Sequence, residues 1–122
     1  GTDHYFELTD ADGDGIKDYI FVDKNELRVF DKKGAQIMYY SFDENIKQQP
    51  ALYIFPNNNR KIGVVLEKQN EIFLINSDGK LYEGFPLKGT TMFSIGHMTN
   101  SQNKFNLFVG SEFGLLYNYE VQ

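Results

Sequence analysis

Apolar residues fall in short runs separated by clusters of Asp, Asn, Gly and Pro, and the runs are rich in Tyr, Phe, Ile and Val. This pattern predicts strands, because aromatic and β-branched side chains suit a pleated surface while Gly, Asn and Asp suit tight turns. Strands are expected at Tyr5 to Thr9, Tyr19 to Val22, Glu26 to Asp31 and Gln36 to Phe42. A second set follows at Leu52 to Phe55, Ile62 to Leu66, Glu71 to Asn76 and Leu81 to Phe85. The third set is Met92 to Gly96, Phe105 to Gly110 and Leu115 to Val121. No stretch of ten or more residues spaces its apolar positions three and four apart, so helices are not expected.

The sets also resemble one another in sequence. Asp18 to Gly34 and Gly63 to Gly79 align at an offset of 45, which places Asn25, Glu26 and Gly34 opposite Asn70, Glu71 and Gly79. Leu107 to Glu120 aligns 44 residues further on, with Leu116, Tyr119 and Glu120 opposite Ile72, Ile75 and Asn76. Such a period marks units that bury their apolar surface only against neighbours. In Glu26 to Asp31 and Glu71 to Asn76 the apolar residues occupy both strand faces, whereas a two-layer sandwich needs one wet face per sheet. Sheets packed on both faces are therefore expected, in an all-β chain of about three four-stranded antiparallel blades of a partial β-propeller, the last blade incomplete. The units are expected near 4–47, 48–90 and 91–122, within a single domain.

Leu116-Tyr117-Asn118-Tyr119-Glu120, Ser77 to Pro86 (SDGKLYEGFP) and Asp10 to Val22 (DADGDGIKDYIFV) carry a further resemblance. Together they are similar to bacterial propeller repeats of the integrin-like FG-GAP/VCBS type and of the PQQ-like type. The resemblance spans almost the whole chain through short, degenerate motifs. It implies a propeller segment, here a C-terminal fragment, in which a strand from elsewhere completes the last blade. It does not imply the quinone cofactor, which such repeats commonly sandwich with a Trp, because the chain has no Trp. Gly1-Thr2-Asp3 leads straight into repeat-like sequence, so a longer precursor is expected.

Composition narrows the partners. The chain has 122 residues, 41% apolar and 16% aromatic, ample for a packed core. A net charge of -5 leaves no Lys/Arg surplus to neutralise phosphates, so no nucleic-acid partner is expected. Lys32-Lys33 and Arg60-Lys61 read as solvated charges on turns and edges. There is no Cys, which excludes disulfides and thiolate metal sites, and no apolar run reaches membrane-spanning length.

One segment carries chemistry. Asp10-Ala11-Asp12-Gly13-Asp14-Gly15-Ile16-Lys17-Asp18 fits D-x-D-x-D-G-x-x-D. Calcium is a hard cation that takes six to eight oxygens at roughly 2.3–2.6 Å, and a tight loop with carboxylates at alternate positions can supply several. Asp10, Asp12 and Asp14 are expected to offer side-chain oxygens, Ile16 its backbone carbonyl, and Asp18 a direct or water-bridged contact to Ca2+. A helix-flanked calcium loop would need Glu at its twelfth position, which here is Phe21, so a clip between two strands is favoured. Pro56 to Arg60 and Thr99 to Asn103 stand at the equivalent places without a carboxylate and read as plain turns.

Signals for catalysis are thin. His4 and His97 lack a nucleophile pattern nearby and read as surface or packing residues. A glycosidase pair among Glu7, Glu44, Glu67, Glu71, Glu83, Glu112 and Glu120 cannot be recognised without a separation. Gly110 to Gly114 reads as a hairpin turn rather than a phosphate cradle, since no helix follows it. Tyr39, Tyr40, Tyr82, Phe85, Tyr117 and Tyr119 read as packing between sheets, with a sugar- or protein-binding face as the alternative. The expected function is a non-catalytic, calcium-stabilised scaffold or interaction module of a larger extracytoplasmic protein. Its partner would be an unknown protein or glycan, and self-association through exposed sheet faces is also expected. The alternative is the non-catalytic end of a propeller-containing polysaccharide lyase or hydrolase.

Overall fold

A computed structural model describes residues 4–66, 68, 70–99, 104–111 and 114–121. Among these, the chain is all-β, with three antiparallel sheets, no α-helix and no helix long and apolar enough to cross a membrane. The first sheet runs β1 (His4–Thr9), β2 (Asp18–Asp23), β3 (Glu26–Phe30) and β4 (Gln36–Ser41), each strand bonded to the next. The second contains β5 (Ala51–Phe55), β6 (Asn59–Val65), β7 (Glu71–Asn76) and the two-residue β8 (Leu87–Lys88). In the third, β9 (Ser94–Thr99), β10 (Lys104–Gly110) and β11 (Leu116–Val121) lie side by side, with β11 at an edge.

The turns repeat one hydrogen-bond pattern in the first two sheets. Gly34 N–H donates to Asp31 O and Asp31 N–H to Ala35 O; 45 residues later Gly79 N–H donates to Asn76 O and Asn76 N–H to Lys80 O. Gly34 and Gly79 sit at φ 88° and 86°, a left-handed conformation that glycine adopts without strain. The carbonyl of Asn25 accepts from Phe42 N–H and that of Asn70 from Gly89 N–H, so each Asn ties its sheet to the chain leaving it.

The second sheet is buried on both faces. Ile62, Val64 and Ile75 pack with Ile20, Val22, Leu27, Val29 and Met38 of the first sheet. On the opposite face Val65, Ile72 and Leu74 pack with Phe105, Leu107, Val109 and Val121 of the third. This arrangement accounts for the apolar residues on both sides of β7. A strand packed on both faces has no wet side on which to place polar residues.

Two expectations fail in detail. Leu81 to Phe85 is not a strand: Leu81 makes an isolated bridge to Ile75, Tyr82 N–H donates to Leu74 O, and the chain turns so that Phe85 N–H reaches Tyr82 O. Gly84 at φ 95° and Pro86, which has no N–H to donate, prevent the ladder from continuing. The alignment of the third set is also one residue out in β10. The ladder pairs Phe73 with Val64 but Tyr117 with Val109, so β11 follows β7 at 44 while β10 follows β6 at 45. A slip of one residue inverts the faces, and Leu107, which the 44-residue alignment set opposite Gly63, therefore points at the second sheet rather than away from it.

Candidate metal centre

The Asp-rich segment is the connection from β1 to β2, closed by the pair Thr9 and Asp18 at the end of the ladder. Its shape comes from its own side chains. Asp10 accepts from Gly13 N–H at 2.8 Å on Oδ1 and from Gly15 N–H at 2.9 Å on Oδ2. Asp12 accepts from Asp14 N–H at 3.2 Å, and Asp14 from Ile16 N–H at 2.8 Å. Such short-range bonds are what Asp offers a turn in place of strand pairing. Asp18 is almost fully buried and accepts from Ala11 N–H at 3.1 Å; Ala11 is itself buried in the core between the first two sheets.

Four carboxylates, of Asp10, Asp12, Asp14 and Asp18, converge so that one oxygen from each lies within 4.8 Å of the others. Oxygens on a sphere of about 2.4 Å radius around one cation can be no further apart than that. The donor set is all oxygen and strongly anionic, which fits a hard divalent cation. Ile16 enters the loop through its N–H bond to Asp14.

Electrostatics follow from this crowding. Burial raises the pKa of Asp18, and the charges of Asp14, Asp10 and Asp31 push it the same way. Burial also raises Asp12, with Asp18 and Asp14 adding repulsion that a bond from Asp14 N–H only partly offsets. For Asp10 a burial penalty is outweighed by the N–H bonds from Gly15 and Gly13 and by the nearby Arg60 guanidinium, so its pKa is lowered. A buried carboxylate amid like charges is relieved by a proton or by a cation.

The sequence reading missed Arg60. Its guanidinium lies 3.6 Å from Asp10 with the side chain only 14% exposed, and it donates to Asn58 Oδ1 at 2.8 Å. Asn58 in turn donates to Gly13 O at 2.7 Å. The segment expected to be a plain turn is thus the surface of the second sheet on which the Asp loop rests. Neighbouring Lys61 is not solvated either: it is buried, with Nζ 2.6 Å from Asn76 Oδ1 and about 5 Å from the Phe55 and Tyr82 rings. Only Lys32-Lys33 fits the expected exposed doublet.

No protein-family model, curated protein or solved structure matches the chain.

The remaining candidates scatter. Tyr40 packs in the first core, and Tyr82, Phe85, Tyr117 and Tyr119 in the second, which favours packing over a binding face for all but the exposed Tyr39. Glu83 and Glu120 line a cleft of about 430 Å³ with Gly84, Leu87, Tyr119 and Val121. Ser111 N–H donates to Leu115 O and Gly114 N–H to Ser111 O, a turn as expected. The side chains of His4 and His97, the residues Glu67 and Glu112, and the segment 100–103 lie outside the described residues.

Proposed function

We propose that the chain is a non-catalytic scaffold segment of propeller type whose Asp loop takes up Ca2+ and thereby pins the first sheet to the second. The observation that carries this reading is the convergence of four carboxylates in a loop that also rests on Asn58 and Arg60. Asp10, Asp12, Asp14 and Asp18 would hold the ion, with the Ile16 carbonyl as a further donor. Bound calcium supplies charge neutralisation, and the loop residues supply position. Ala11 anchors the loop in the core, and Gly13 O meets Asn58 across the sheet boundary.

At a calcium concentration one hundred times the dissociation constant, binding to the folded state alone contributes about 2.7 kcal/mol. This is a large share of the total stability of a small domain. An exposed loop with one cation already beside Asp10 points to modest affinity, which suits the calcium-rich extracytoplasmic side. Calorimetric titration and thermal melting in calcium and in chelator test the reading. Absence of both binding heat and a melting shift would refute it.

A further inference from the structure

The chain that joins β7 to β8 departs from the second sheet and opens a gap beside the third. Phe85 is buried in the core between these two sheets, while Glu83 and Gly84 stay exposed on the turn that carries it. Gly84, at φ 95°, has no atom beyond its chain neighbours within 4 Å of the place a Cβ would occupy, and Pro86 has no N–H with which to rejoin the ladder. From the third sheet, Tyr119 of β11 fixes the spacing by donating its hydroxyl to the Lys88 carbonyl at 3.0 Å. The cleft of about 430 Å³ lies here, lined by Glu83, Gly84 and Leu87 of one element and Tyr119, Glu120 and Val121 of the other.

The lining divides by chemistry. Leu87 and Val121 supply apolar surface that belongs to the second core, and Tyr119 supplies a ring. Glu83 and Glu120 supply two carboxylates. Among the described residues Glu83 has no ion-pair partner, and that of Glu120 is the exposed Lys104 at a long 3.8 Å. Lys88 stands across the ladder from Glu71 instead. Burial raises the pKa of the neighbouring Tyr82 phenol and the charge of Glu83 adds to it, so that charge is felt within the aromatic cluster. The side chains of the lining thus offer acceptors and apolar surface but no free donor, since carboxylates only accept and the Tyr119 hydroxyl is already engaged. A neutral sugar, which needs both donors and acceptors, is poorly matched, and an anion would be repelled. A donor-only cation on an apolar stem matches all three features.

We infer that the cleft takes a basic side chain, lysine or arginine, from a partner polypeptide. Its methylene stem would lie on Leu87 and Val121 and its charged head would meet Glu83, Glu120 and the Tyr119 ring. The net charge of -5 favours the approach of such a partner over that of an acidic one. A single side chain in an open cleft binds weakly, in the millimolar range, and contacts around it would supply the rest of the affinity. This inference does not depend on calcium.

A titration of the ¹⁵N-labelled protein followed by nuclear magnetic resonance decides it, with Nα-acetyl-lysine methylamide and its arginine counterpart as probes. The amide signals of Gly84, Leu87 and Val121 should move and saturate, and added salt should weaken the binding. The norleucine analogue, which keeps the stem and lacks the charge, should bind at least about fivefold more weakly. Glu83→Gln should lower the affinity about twofold to fivefold, while Asp43→Asn, in the chain leaving the first sheet, leaves it unchanged. Both positions are exposed, and far-ultraviolet circular dichroism checks that each variant folds. Shifts that never saturate, equal binding of the norleucine analogue, unchanged affinity in Glu83→Gln, or an equal loss in Asp43→Asn would each overturn the inference. So would saturation by a neutral oligosaccharide where the basic probes give none.

Discussion

The second sheet is held on its two faces by different means. Against the first sheet it presents Ile62, Val64 and Ile75 with a single ring, Phe73, which meets Phe42 edge-on at 5.0 Å, and the rim of that contact is a polar network of Asp10, Gly13, Asn58 and Arg60. Against the third sheet it adds a cluster of rings to Val65, Ile72 and Leu74. Phe55 meets Phe105 edge-on at 5.1 Å, Tyr82 meets Phe105 at 5.7 Å, and Tyr53 stacks on Phe93 at 5.1 Å. Ring packing needs no partner from outside, whereas a rim with four carboxylates and one guanidinium is incomplete in charge. A cation that strengthens one contact should therefore leave the other untouched.

The largest effect expected comes from removing the centre of the aromatic contact. Phe105 is 2% exposed, and Phe105→Ala should cost about 3–5 kcal/mol by chemical denaturation. The loss should be equal in calcium and in chelator. A loss that calcium repairs would break the distinction between the two contacts. Next is the ion itself: Asp12→Asn with Asp14→Asn should remove the calcium-dependent part of the stability, about 2.7 kcal/mol under near-saturating calcium, as read from melting curves.

Gly13→Ala addresses the rim without touching a carboxylate. Gly13 sits at φ 84°, and a Cβ there would lie 2.5 Å from the Asn58 carbonyl oxygen, a backbone atom that cannot step aside alone. A cost of about 1–3 kcal/mol is expected from left-handed strain and overpacking. The rings of Phe105 and Tyr82 should keep their near-ultraviolet circular dichroism. Loss of that signal would mean that the two contacts are one cooperative unit. Arg60→Met should cost about 1 kcal/mol in chelator and less in calcium, because the ion takes over the charge that the guanidinium offsets.

Much of this was legible from residue order. Strand positions followed from where Asn, Asp and Gly interrupt aromatic and β-branched runs, and the Asp loop followed from alternate carboxylates, because both are local properties. What escaped depends on distance in space. Arg60 and Asp10 are fifty residues apart, so nothing in the neighbourhood of either announces the ion pair. Leu81 to Phe85 carries strand-like residues, yet Gly84 and Pro86 break the ladder it would join. The 45-residue alignment of the first two sets tolerated the ladder pairing Val22 with Leu27 and Val65 with Ile72, a shift of two that keeps each face. The shift of one in β10 did not. Apolar residues on both faces marked the sheets as doubly packed, but such a pattern cannot distinguish the covered Val64 from the exposed Phe21.

The smallest effect separates the two contacts by pH. Burial raises the pKa of the Tyr53 phenol well above its ordinary value of 10.0, and burial raises Tyr82 and Tyr119 as well. All three belong to the aromatic contact. An unfolded tyrosine ionises near pH 10, whereas the folded ones keep their protons to higher pH. Stability from these groups is thus complete below pH 10 and declines as pH rises through the folded values. Lys61 opposes this, since burial lowers its pKa below 10.5 and the folded state gives up that proton first, which favours folding as pH approaches 10.5. With three groups against one, the melting temperature should fall above pH 10. Tyr53→Phe should cost about 1 kcal/mol at pH 7, where the hydroxyl donates to the Phe93 carbonyl, and should flatten the decline. The calcium increment carried by the other contact should persist across the same range, and its disappearance in step with the tyrosines would join the two contacts after all.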